Sequence, residues 1–162
     1  MNWGNAMATR LTLREVLERA IKKEIESRLL YMGLSQKVND QTAKDAFQKL
    51  AQQEQGHQDL LEEYQRGELK EGALSSEHPV DFKIAEQLDQ PETSPDMKLK
   101  DTFLLAANRE KASHEFYLTL AHIHPDGEVK KLLQGLATQE LEHKQRVEFL
   151  YTQVAFPQTN GG

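Results

Sequence analysis

Two stretches of this chain put a glutamate and a histidine where an amphipathic helix would bury leucine. "LAQQEQGHQDLL" (50–61) carries Glu54 and His57, and "LATQELEHKQRV" (136–147) carries Glu140 and His143. Shifting the sequence by 86 residues aligns 20–64 with 106–150 without a gap, and fourteen of the 45 positions are identical. The matches include Ala20/Ala106, Glu24/Glu110, Ser27/Ser113, Tyr31/Tyr117, Asp40/Asp126 and Leu50/Leu136, besides the two Glu-x-x-His pairs. Two unrelated amphipathic hairpins share Ala, Leu, Glu and Lys, but they do not readily share Tyr and His in one register. The pattern reads as a duplicated helix hairpin. Two antiparallel helix pairs packed face to face make an all-α four-helix bundle.

The helix boundaries follow from local signals. "TLRE" (12–15) has the form of a capping box and opens a first helix over about 13–37. Asp40 caps a second, about 41–66, which Gly67 ends. Ser94 with Pro95 at the first helical position starts a third, about 95–122, and Asp126 caps a fourth, about 127–152. The chain then divides into one hairpin over about 13–66, a crossover over 67–94, a second hairpin over about 95–152 and a tail over 153–162. All 162 residues are expected to form a single domain. The crossover is long, polar and holds two prolines, with room for a short helix at "DFKIAEQL". Its length suits a strand of chain that must travel the length of a bundle.

Steps of three and four keep residues on one helical stripe. The four stripes are Leu13, Leu17, Ala20, Glu24, Ser27, Tyr31, Leu34, Val38; Ala43, Phe47, Leu50, Glu54, His57, Leu61; Leu99, Phe103, Ala106, Glu110, Ser113, Tyr117, Leu120; and Val129, Leu133, Leu136, Glu140, His143, Val147. Each is apolar except near its middle. Four glutamates and two histidines are therefore expected to meet at similar depth. An ionised carboxylate in a low-dielectric core is costly, and four together are more so. Two divalent cations balance four carboxylates, and neutral imidazoles complete the ligand set. Carboxylate-rich, thiolate-free ligation suits iron or manganese, and zinc is also possible. A Glu from each of two helices and a Glu-x-x-His from each of two others is the ligand pattern of ferritin-like dimetal bundles.

On "AIKKEIESRLLY" with "EQGH", and "AANREKASHEFY" with "ELEH", the chain resembles the rubrerythrin-like branch of the ferritin-like superfamily. The resemblance spans both hairpins. It implies that Glu24, Glu54, His57, Glu110, Glu140 and His143 are ligands of two iron ions, with Glu54 and Glu140 bridging. It implies oxidation of iron(II) by hydrogen peroxide or dioxygen, in oxidant scavenging or iron handling. Tyr31 and Tyr117, two turns beyond Glu24 and Glu110, are expected to hydrogen-bond ligand carboxylates and to supply a proton or electron. Two features depart from the family. The peroxide-active members usually carry another carboxylate three residues after the third-helix glutamate, where this chain has Ser113. Many also carry a four-cysteine rubredoxin module, and this chain has no cysteine, so electrons would come from a separate donor protein.

Composition bounds the rest. Absence of cysteine removes disulfides, thiolate catalysis and Cys-ligated clusters. A net charge of −6 argues against nucleic acid, and no apolar run is long enough to span a membrane. The expectation is a cytoplasmic homodimer. The alternatives are an iron-storage protein with a ferroxidase site, or a structural metal-binding bundle without turnover. His78, His114, His122 and His124 read as surface residues, Glu142 points about 100° away from His143, and "EHKQR" (142–146) reads as a charged outer face. Ser27 and Ser113 are small enough to leave space beside the metals, but a small residue at a helix contact is the plainer and preferred account. Gly56, inside a helix, costs up to about 1 kcal/mol against alanine, for close packing or for room.

Overall fold

The protein is described by a computed structural model covering residues 12–67, 81, 83–94 and 96–157. Its helices are α1 (Leu13–Lys37), α2 (Gln41–Gln65), the short α3 (Ile84–Gln87), α4 (Leu99–Ile123) and α5 (Glu128–Ala155), and no strand occurs among the described residues. α1 opens on the expected capping box: Thr12 Oγ1 accepts from the Glu15 N–H at 3.2 Å, and Glu15 Oε2 accepts from the Thr12 N–H at 2.8 Å. Asp40 Oδ1 accepts from the Ala43 N–H at 2.8 Å and caps α2. Gly67, at φ +73°, turns the chain out of the helix in the left-handed region that glycine tolerates. The links between α1 and α2 and between α4 and α5 are short, so each pair folds back antiparallel. α1 packs on α4 across the bundle, and α3 lies against α4.

Two helix starts differ from expectation. α4 begins at Leu99, with Lys98 as its uncapped N-terminal neighbour, and not at 95. Ser94 Oγ accepts instead from the Asp96 N–H, and the Met97 N–H reaches the Ser94 carbonyl, which closes a turn that does not propagate because Lys98 is extended. Pro95 lies outside the described residues. α5 begins at Glu128 after Gly127, and Asp126 makes no capping bond; its carboxylate pairs with Lys130 at 3.4 Å. α5 also continues to Ala155, three residues into the expected tail. The short helix in the crossover is present as α3; residues 68–80 and 82 of the crossover, His78 among them, lie outside the described residues.

The core falls into two apolar clusters at opposite ends of the bundle. Tyr31, Leu34, Phe47, Leu50, Phe103 and Val147 belong to one, and Val16, Leu17, Leu61, Tyr117, Leu133 and Leu136 to the other. The stripes read from the sequence are the buried faces, except that Leu13 is 43 % exposed at the fraying start of α1, and Leu99 and Val129 are only partly buried. Between the clusters lies a layer of polar side chains.

Candidate metal centre

All six residues expected in that layer are there, and each is at least 95 % buried. α1 supplies Glu24, α2 supplies Glu54 and His57, α4 supplies Glu110, and α5 supplies Glu140 and His143. The spacing works because a Glu-x-x-His pair spans just under one turn, so both side chains leave the helix on one face. The six form two overlapping groups of potential ligands: Glu24, Glu54, His57 and Glu140, and Glu54, Glu110, Glu140 and His143, with the donor atoms of each group within 4.8 Å of one another. Glu54 and Glu140 belong to both groups. That sharing is the geometry a bridging carboxylate needs.

Each imidazole reaches across to the other hairpin. His57 Nδ1 is 3.1 Å from Glu140 Oε1, 3.5 Å from Glu24 and 3.7 Å from Glu54. His143 Nδ1 is 2.9 Å from Glu54 Oε1, 3.6 Å from Glu110 and 3.7 Å from Glu140. The two rings are nearly parallel, 13° apart in plane, with centroids 5.5 Å apart. The tyrosines cross over in the same way: the Tyr31 hydroxyl donates to Glu110 and the Tyr117 hydroxyl to Glu24. Both phenols are fully buried, and burial together with the neighbouring glutamate charge raises their pKa well above the ordinary value, so they remain protonated donors.

Without cations the layer balances its charge with protons. Burial, with the charges of Glu140 and Glu54, pushes Glu24 well above the ordinary carboxylate range, and the same causes raise Glu110. For Glu54 and Glu140 burial acts in the same upward direction but is outweighed. Hydrogen bonds from Glu24 and both histidines hold Glu54 low, and bonds from Glu110 and both histidines hold Glu140 well below its ordinary value. Burial pulls the histidines down, yet the surrounding carboxylates raise both well above 6.5. The shifts favour protons on both imidazoles and on Glu24 and Glu110, and ionised carboxylates at Glu54 and Glu140.

A layer that draws protons to offset its buried carboxylates also suits two dications. As carboxylates, Glu24, Glu54, Glu110 and Glu140 each leave Oε2 buried with no donor. These four oxygens come one from each of the four long helices, in the layer that holds the two imidazoles. A cation at each group would meet oxygen and nitrogen donors alone, the set expected of iron, manganese or zinc.

The remaining sequence expectations sort simply. His114, His122 and His124 stand outside the cluster, but His114 is half-buried and donates from Nδ1 to the Ala137 carbonyl at 2.6 Å, so it is not a surface residue. Its sequence neighbours gave no sign of this. Gly56 is exposed, and a Cβ there would meet nothing within 4 Å, so close packing does not explain it. "EHKQR" is not wholly an outer face. Lys144 is 1 % exposed, and Glu148, one turn later, is completely buried. Arg109 was also not foreseen. It donates from Nε to Ser27 Oγ at 2.9 Å and from Nη2 to the Lys23 carbonyl at 3.3 Å, tying α4 to α1 beside Glu24 and Glu110.

The sequence profile of the rubrerythrin family matches residues 15–151. The chain belongs to the rubrerythrin family. The match takes in both hairpins and every residue of the polar layer. Among solved structures, a hypothetical protein from Pyrococcus furiosus is similar at 25 % identity and a TM-score of 0.64, over 90 % of this chain and 91 % of that one. No curated protein matches. No helix among the described residues is long and apolar enough to cross a membrane.

Proposed function

We propose that this rubrerythrin-family chain is a di-iron carboxylate protein that oxidises iron(II) with hydrogen peroxide or dioxygen. The observation that carries the reading is the pair of overlapping four-residue groups sharing Glu54 and Glu140. Glu24, Glu54, His57 and Glu140 would hold one ion, and Glu54, Glu110, Glu140 and His143 the other. When bound, two adjacent iron(II) ions supply two electrons, enough with two protons to reduce one hydrogen peroxide to two waters.

The chain's own residues provide the rest. Four carboxylates neutralise the paired charge, so the ions need no counter-anion in the core. Tyr31 and Tyr117 keep one oxygen each of Glu110 and Glu24 hydrogen-bonded, which fixes the carboxylate planes and keeps a proton at each of those oxygens' edges. Apolar clusters at both ends shield the layer from bulk water. Ser27 and Ser113 are buried beside the glutamates of α1 and α4 and add no further carboxylate there. The sequence supplies no thiolate-held redox centre, so electrons that return the pair to iron(II) come from a separate donor protein.

The test is metal content after anaerobic purification, then stopped-flow absorbance when the iron(II)-loaded protein meets peroxide or air. About two irons per chain, lost in Glu54→Ala/Glu140→Ala, and a fast oxidation band support the reading. Zinc alone, or a folded bundle that takes up no iron, refutes it.

A further inference from the structure

α5 holds a second buried charge immediately after His143. The Lys144 ammonium meets Asp81, both oxygens of Glu86 at 3.0 Å, and Glu148 at 3.4 Å. Asp81 and Glu86 come from the crossover. Glu148 Oε2 also accepts the Ile84 and Ala85 N–H groups, at 2.6 and 2.8 Å. Ala85 packs into the same apolar cluster as Phe103 and Val147. The three carboxylates bring ligand atoms within 4.8 Å of one another, as in a cation site, but the ammonium already fills it with three donors facing three carboxylates.

The repeat provides an internal comparison. A shift of 86 residues places Gln58 at Lys144 and Glu62 at Glu148. There Gln58 Nε2 donates to Glu62 Oε1 at 3.0 Å, a partly buried pair in which a neutral amide stands where α5 has an ammonium. The ligands of the two halves match, but what stands behind them does not. On α5 the turn carrying His143 is strapped from outside by the crossover.

We propose that Lys144 is a positioning residue for the metal position built from Glu54, Glu110, Glu140 and His143. The inference rests on the dimetal reading above. Lys144 follows His143 on the helix at about 100°, so tying Lys144 to segment 81–88 fixes the rotation of α5 about its axis. That rotation sets where the His143 ring and, one turn earlier, the Glu140 carboxylate point. The position built on Glu24 and His57 depends on this strap only through shared Glu140, and α2 carries the neutral Gln58 in its place.

The experiment is anaerobic cobalt(II) titration of metal-free protein, followed by visible absorbance, in wild type, Lys144→Met and the repeat-matched control Gln58→Met. His57→Ala and His143→Ala assign each binding step to its position. Lys144→Met is expected to bind one ion as wild type does and the other about tenfold more weakly, the lower end of what outer supports of metal ligands contribute. Gln58→Met is expected to bind both normally. Wild-type affinity for both ions in Lys144→Met, with faster amide exchange across 84–88, overturns the proposal, because the strap is then released without consequence for the metal. Equal weakening of both positions overturns it too. If Lys144→Met does not fold, Glu86→Gln loosens the same strap at its partly exposed rim, and the same outcomes apply. Wild type that takes up no cobalt overturns the dimetal reading itself and is recognised without any variant.

Discussion

Loading the polar layer with two divalent ions should expel more than two protons and up to about four. The number follows from the charge balance of the metal-free layer. His57, His143, Glu24 and Glu110 each have a pKa raised well above the ordinary value, whereas Glu54 and Glu140 are held low. At about pH 6, below the ordinary histidine value, both imidazoles carry protons and the raised Glu24 and Glu110 favour theirs, and two dications replace what these groups hold. Calorimetry of manganese(II) or cobalt(II) binding at that pH, repeated in buffers of different ionisation enthalpy, gives the proton count from the slope. A release of two or fewer for two ions would mean the carboxylates ionise freely in the bare core, and the electrostatic reasoning would be wrong. The same shifts give a sign for stability. Groups with a raised folded pKa stabilise below their unfolded value, and that contribution is lost as pH rises through the folded pKa. The metal-free protein should therefore lose thermal stability as pH rises above about 4.5 through Glu24 and Glu110, and further above about 6.5 through the two histidines, and loading should restore it. Glu54 and Glu140 act in the opposite direction, and their contribution is lost only as pH falls below the ordinary carboxylate range.

Other consequences are open to direct measurement. Gly56→Ala should stabilise by up to about 1 kcal/mol, or roughly 2–4 °C in melting temperature, because the site is exposed and a Cβ there meets nothing within 4 Å; a lower melting temperature would contradict this. Tyr31→Phe and Tyr117→Phe each remove a donor from a buried glutamate. Each should cost about 1–3 kcal/mol in urea denaturation of the metal-free protein, and similar losses in both would match the repeat. Asp40→Ala should cost about 1 kcal/mol through its lost cap, while Asp126→Ala, whose side chain is almost fully exposed, should leave the denaturation midpoint unchanged. Equal effects would mean that the start of α5 is capped in solution as the repeat suggests.

The parts of this molecule that could be read from its sequence are those governed by helical period. The four stripes run through long uninterrupted helices, so spacing alone brings Glu24, Glu54, His57, Glu110, Glu140 and His143 to one layer. Tyr31 and Tyr117 were placed near ligand carboxylates for the same reason, although their crossing to the opposite hairpin depends on how α1 meets α4. Helix starts were less legible. Ser94 and Asp126 offered side chains of the right kind, but a local turn used the first and Lys130 drew off the second. Lys144 was misread because its partners lie far away in sequence: Asp81 and Glu86 are 63 and 58 residues earlier, in a segment without periodicity. Within "EHKQR" a lysine that ends buried looks the same as one that stays in water. Arg109 escaped notice for a related reason, since its acceptors on α1 are 82 and 86 residues away.

Each of the two groups of potential ligands takes three residues from one hairpin and a single residue from the other: Glu140 completes the first, and Glu54 completes the second. Neither hairpin alone contains a full site. On the dimetal reading proposed above, docking of the two halves and capture of the ions are one event viewed from two sides, and anything that pries the halves apart would empty both positions together. A chain cut within its crossover should keep its fragments associated when loaded and release them to a chelator, the metals serving as the clasp of a two-part shell.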